Sequence, residues 1–193
     1  AARITLAAMP VGLAVAWVIA TRVWEGGAIT YLVGGWAPPL GIALRADGLS
    51  AAMMLTTAIV ITGAGLFAHA DFAAKPGEPE TRGSLVFWML LIAVWGAMNL
   101  VVMSRDVFNL YVALELLTFA AVPLVSLDGR AATLAAALRY LMFALLGSVL
   151  YLLGAVLLYG AYGTLDISLL ATRVQPEPVA WVAAALMTAG LLA

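Results

Sequence analysis

The 193 residues are 65% hydrophobic and only 10% charged, with a mean hydropathy of +1.10. A soluble domain carries about 25% charge, so the chain reads as an integral membrane protein. The net charge of −1 argues against a nucleic-acid partner, the lack of cysteine excludes disulfides, thiolate metal sites and thiol catalysis, and a single histidine, His69, leaves little scope for a haem or a His-built metal site.

In chain order, the first apolar run covers about residues 4–23. Pro10 and Gly12 lie inside it, as membrane helices tolerate. Arg22, Trp24 and Glu25 mark its exit, with Trp24 suited to the membrane–water interface. From Gly26 to Asp47 the chain holds Gly34, Gly35, Pro38 and Pro39, which predict a loop rather than a continuous helix. A second run follows at about 48–68, with Asp47 placed to act at its N-terminal end. The stretch AHADFAAKPGEPETRG, 68–83, is expected in water, with Lys75, Glu78, Glu80 and Arg82 as a solvated patch.

The third run is 84–103, and Ser104, Arg105 and Asp106 are predicted to form a tight turn into the fourth, 107–127. After a turn at 128–130 comes a fifth run at about 134–159, long enough to tilt or to project beyond the bilayer. A mostly polar connection, 160–178, leads to a sixth run at 179–193. About 15 apolar residues fall short of the ~20 that span a bilayer. The expectation is therefore a piece of a longer protein, or else a short or re-entrant last segment. The predicted fold class is all-α integral membrane with six transmembrane segments in one membrane domain. Lys75, Arg82, Arg130, Arg139 and Arg3 fall on one side, and Arg22, Arg45, Arg105 and Arg173 on the other, a near balance that leaves orientation open.

One acid stands out. Glu115 lies near the middle of the fourth run, roughly 13 Å from Asp106 at about 1.5 Å per helical residue. An acid at the bilayer centre costs about 2.5–3.5 kcal/mol on the insertion scale, which the flanking Leu, Val and Phe residues can offset but do not explain. Low-dielectric surroundings disfavour the charged carboxylate, so such a group suits accepting and releasing a proton. The alternative is a permanently protonated Glu bonded to a neighbouring helix. Tyr111 and Thr118, at i−4 and i+3, share its face and could hold water or the carboxyl, or simply pack.

Arg139 keeps its charge, so it would act as a fixed positive charge beside Glu115, pair with Asp128, or snorkel to the headgroups. Gly147 and Ser148, mid-helix, could permit close packing or a hydrogen-bond defect beside a water path. Pro123 is placed to bend the end of the fourth helix. His69, at a membrane edge beside Asp71, is either a proton-access group or a solvated interfacial side chain. No phosphate-cradling glycine loop, Ser–His–Asp arrangement or metal-ligand spacing occurs, so no cofactor and no metal are expected.

Three stretches carry a resemblance: GGWAPPLGIALRADGLSAAMM (34–54), DVFNLYVALELLTFAAVPLVSL (106–127) and ALRYLMFALLGSVLYLLGAVLLYGAYGTLDI (137–167). Together the chain resembles the antiporter-like proton-conducting subunits of respiratory complex I, membrane-bound hydrogenases and Mrp-type cation/proton antiporters. The opening GGW-P-P-GI-D-LS pattern is most similar to the D-type branch of the Mrp subunits. The resemblance implies a fold of about fourteen helices with inverted repeats. On that register the first run here matches the family's second helix, and Glu115 falls on its fifth. It implies that Glu115 matches the family's essential glutamate, paired with a lysine on a broken seventh helix whose start looks like VAAALMTAGLLA. That lysine is expected at or just beyond Ala193. Where the family often has lysine this chain has Arg139, a poor proton relay.

The implied function is proton translocation within a multisubunit membrane complex of the bacterial or archaeal cytoplasmic membrane. Its partners would be other membrane subunits, the lipid bilayer and protons, with sodium exchange left open. Any quinone or hydrogenase chemistry would lie in partner subunits. The rival readings are a non-transporting structural subunit of such a complex and a membrane enzyme acting on lipid or quinone, the latter disfavoured by the lack of clustered catalytic residues.

Overall fold

The computed structural model describes residues 2–72 and 81–193. Helix α1, Ala2–Gly26, buries Thr5, Met9, Ala16 and Val23 along one face. Their spacings of four and seven residues are those of a single helical stripe. Helix α2, Gly48–Phe72, buries Ala51, Met54, Ala58, Ile61 and Ala68 by the same rule, and α3, Arg82–Met103, buries Ser84, Trp88, Leu91 and Trp95. The three stripes meet in one core around the fully buried Trp88 and Met9. Small residues set how close the helices come: a Cβ on Gly12 would lie 2.2 Å from the Trp95 ring, and one on Gly65 would lie 2.1 Å from Met9.

Between α1 and α2 the chain is not merely a loop. Strand β1, Ile29–Leu32, pairs antiparallel with β2, Ala43–Ala46, in the register Ile29↔Ala46 to Leu32↔Ala43. The glycines and prolines that disfavour helix here form the connection between the strands. Gly34 and Gly35 both take positive φ, 68° and 78°, where a side chain would be strained.

The link from α3 to the next helix also departs from the sequence reading. Ser104–Asp106 is extended, not a tight turn. Ser104 forms an isolated bridge with Leu44, and Asp106 forms one with Asp166. Non-local backbone hydrogen bonds hold it straight: Val107 N donates to Leu165 O and Ile167 N to Arg105 O, each at 2.9 Å.

Helix α4, Val107–Val125, follows, with Pro123 in its last turn, and α5 is Ala131–Tyr162. At about 1.5 Å per residue α5 is roughly 48 Å long, well beyond a ~30 Å hydrocarbon core. It stops at Gly163, whose φ of 66° is the left-handed C-terminal cap. The polar connection after it contains a short helix, α6, Ile167–Arg173, before α7, Pro178–Leu192. Helix α7 lies on α5 through small residues. A Cβ on Gly147 would come within 2.6 Å of Gly190 O, and one on Gly154 within 2.7 Å of Ala183 O. Backbones that close fit only with glycine at the crossing.

Among the described residues five helices, α1 to α5, are long and apolar enough to cross a membrane, where six were expected. The difference is α7, whose 15 residues fall short of a span. The chain is mainly helical and integral to the membrane, with the β-hairpin as an addition to an all-α plan. The patch Lys75, Glu78 and Glu80 lies outside the described residues.

Candidate functional site

Helix α4 places Glu115 eight residues beyond its first residue, Val107, and ten before its last, Val125. Glu115 is half-buried, and among the described residues its carboxyl makes no hydrogen bond and no ion pair. Tyr111, one turn earlier, is half-buried and stacks on Tyr151 of α5, with ring centroids 6.4 Å apart and planes 11° from parallel. Its other neighbour is Phe108, at 5.9 Å between centroids. Tyr151 is buried, and its hydroxyl donates to Val107 O at 3.4 Å, tying α5 to the first turn of α4. Thr118, one turn after Glu115, is half-buried. Spacings of four and three put Tyr111, Glu115 and Thr118 on one face of α4.

The other residues singled out from the sequence are held elsewhere. Arg139 is exposed on α5 and pairs with neither Glu115 nor Asp128. Asp128 is already engaged by closer groups: Arg130 Nε lies 3.5 Å away, Arg130 N donates to its Oδ1 and Thr133 Oγ1 donates to its Oδ2. Ser148 donates to Leu145 O of its own helix at 3.0 Å. His69 is exposed in the last turn of α2, whereas Asp47, at the other end of that helix, joins the charged end of the bundle.

That charged end was only partly visible in the sequence. Three aspartates there each cap a helix. Asp47 Oδ1 accepts from Ser50 N at 3.0 Å and from Ser50 Oγ at 3.1 Å, and Ser50 Oγ also donates to Val102 O of α3. Asp106 accepts from Asn109 N at 2.9 Å. Asp166 accepts from Ser168 N and Leu169 N. Each carboxylate satisfies N–H groups that have no partner within their own helix. The backbone and hydroxyl bonds from Ser50 hold the Asp47 carboxyl below its ordinary value of 3.8, with the Arg45 charge adding to the effect. Arg105 is joined to Asp166 at 3.7 Å and to the Ser168 hydroxyl, so the extended 104–106 segment is fastened to α6. The repeated Asp-x-x-Ser/Asn spacing at 47–50 and 106–109 is the local signal for two of these caps. The Arg105–Asp166 pair, 61 residues apart in sequence, has no local signal.

Among the described residues no group of three or more His, Asp or Glu side chains forms a metal-binding cluster. Among the described residues the arrangement therefore offers an unpaired carboxyl midway along α4 and a cross-linked charged layer at one end of the bundle.

Comparisons with known proteins agree with this plan. Residues 104–193 match the transmembrane family described as NADH:quinone oxidoreductase/Mrp antiporter. The chain is 32% identical over 169 residues to the D-type subunit of the Na(+)/H(+) antiporter of Bacillus subtilis, covering 88% of this chain and 33% of that one. It is 34% identical over 164 residues to the N-type subunit of the NADH-quinone oxidoreductase of Desulforudis audaxviator, covering 83% and 32%. Its fold superposes on a chain of the Mrp complex from a Dietzia species with a TM-score of 0.83 and 26% identity, over 98% of this chain and 35% of the other. The chain thus spans about a third of the length of the curated relatives it matches. Residues 104–193 thus carry the transmembrane domain of the NADH:quinone oxidoreductase/Mrp antiporter family, and over nearly its whole length the chain is similar to the antiporter-like membrane subunits of Mrp antiporters and complex I.

Proposed function

We propose that the chain forms part of a proton-translocating subunit of a multisubunit membrane complex, and that Glu115 is the group that carries the proton. One observation supports this reading above the others. Glu115 is a half-buried carboxyl midway along a membrane-length helix, with no hydrogen bond or ion pair among the described residues. A carboxyl serving as a structural link would be tied to a facing helix, because an unpaired polar group in a low-dielectric interior is costly. A carboxyl that must alternately hold and release a proton needs a partner whose charge or distance changes.

In the proposed cycle Glu115 accepts a proton when no positive charge is near and releases it when one approaches. The approaching charge is a lysine beyond Ala193. Tyr111 and Thr118 flank the carboxyl on the same face and position water or the protonated acid. Arg139 supplies a constant positive potential rather than a relay step, since its guanidinium does not give up its proton. Ser148 and His69 are further candidate members of the proton path. The other subunits of the complex and the bilayer of a bacterial or archaeal cytoplasmic membrane are the partners. Sodium, the ion in the name of the Bacillus subtilis relative, is the counter-ion to test first.

The test compares wild type with Glu115→Gln in vesicles carrying the intact complex at matched assembly. Loss of the proton gradient with assembly unchanged supports the assignment. A retained gradient overturns it, and loss of assembly favours the reading as a structural component.

A further inference from the structure

The charged end of the bundle contains a cleft of about 710 Å³ between β2, the start of α2, the end of α3 and α6. It is lined by Arg45 and Arg105 and by an apolar wall of Leu49, Met53 and Val102. Leu49 is 76% exposed and Met53 44% exposed, one turn deeper along α2. Because α2 and α3 are membrane-length helices that end here, the cleft sits where headgroups give way to hydrocarbon.

The charges in the cleft are unequally engaged. Asp47 spends its carboxylate on the Ser50 N–H and hydroxyl. Asp166 caps α6 and faces Arg105, whose guanidinium also reaches Ser168. Arg45 differs. Its charge is felt by Asp47 through space, but its Nε is buried without a hydrogen-bond partner, and among the described residues its guanidinium forms no close ion pair. A buried guanidinium N–H without an acceptor is costly, and its fork geometry matches the oxygens of a phosphate.

We propose that this cleft binds a glycerophospholipid, with its phosphodiester on Arg45 and Arg105 and the upper part of an acyl chain along Leu49, Met53 and Val102. The phosphate supplies the acceptor that Arg45 lacks. The exposed apolar wall supplies the reason for a lipid rather than a free anion. This site is separate from Glu115 and does not rest on its role.

The experiment is native mass spectrometry of the full-length protein titrated with dioleoyl phosphatidylglycerol, with and without excess inorganic phosphate. Wild type should retain one tightly held lipid that inorganic phosphate does not displace. Arg45→Gln should weaken that binding on the order of tenfold, with Arg45→Lys in between, since a point charge replaces the fork. Equal retention by wild type and Arg45→Gln overturns the site. Displacement by inorganic phosphate overturns the lipid assignment in favour of a free-anion site. Should Arg45→Gln not elute as a single species, Leu49→Ser on the exposed wall serves instead: reduced lipid retention upholds the proposal, and unchanged retention overturns it.

Discussion

The two polar regions of this molecule handle charge in opposite ways. At one end of the bundle Asp47, Asp106 and Asp166 each accept backbone N–H groups, and Arg105 joins two segments 61 residues apart. Midway along α4, Glu115 is tied to nothing among the described residues. The first region shows how this fold uses carboxylates for structure: each of its three aspartates caps a helix. Glu115, half-buried midway along a membrane-length helix, has no such partner among the described residues. On the proposed function, this contrast separates groups that hold the fold from the one that carries the proton.

The contrast can be broken by substitution. The largest expected effect is on transport: Glu115→Gln should reduce proton movement by about a hundredfold or more, the scale of losing one general acid–base group, while leaving helix content and assembly unchanged. Asp166→Ala should do the reverse. It removes the cap of α6 and leaves Arg105, 24% exposed, facing an empty position. We expect a stability loss of about 1–3 kcal/mol, read as a lowered unfolding midpoint, with transport per assembled complex preserved. If Asp166→Ala abolished turnover in fully assembled complexes, the division between the two regions would fail.

Tyr151→Phe sharpens the boundary, because Tyr151 touches both sides of it. The variant loses one long hydrogen bond to Val107 O and keeps the stack on Tyr111. The expected cost is about 0.5–1 kcal/mol, with no change in the pH profile of transport. A shifted pH profile would place Tyr151 within the proton path. The smallest effect concerns Asp47. Its carboxyl is held below 3.8 in the folded protein, so its contribution to the cap is complete above that value and is lost as the pH falls through the lowered one. Protection against hydrogen exchange at the first turn of α2, corrected for the intrinsic pH dependence of exchange, should therefore fall below about pH 4 in wild type. Asp47→Asn keeps a capping oxygen without the titration and should flatten that dependence.

Much of the helical plan was legible because a bilayer imposes one demand on each segment, a continuous apolar run about as long as the hydrocarbon is thick. Where the sequence misled, the structure was decided by distant partners. Ser104–Asp106 reads locally as a turn, but Leu44 and Asp166 draw it into extended pairing. The hairpin hides in a stretch whose Gly and Pro residues announce only the absence of a helix. An Arg139–Asp128 pair, one of the alternatives left open for Arg139, does not form, and Arg130 and Thr133 engage Asp128 instead. Glu115 itself was legible, since an acid stands out in an apolar run. Its lack of a partner was not, because that depends on what every neighbouring helix presents.

The central claim is that Glu115 changes protonation as the complex works. Infrared difference spectroscopy of the assembled complex during turnover tests it directly, by following the carbonyl stretch of a protonated carboxyl. The predicted result is a band that appears and disappears with the cycle, shifts in Glu115→Asp and is missing in Glu115→Gln. A turnover-linked carboxyl band that is the same in wild type and Glu115→Gln, or a wild-type complex that pumps without one, would contradict it.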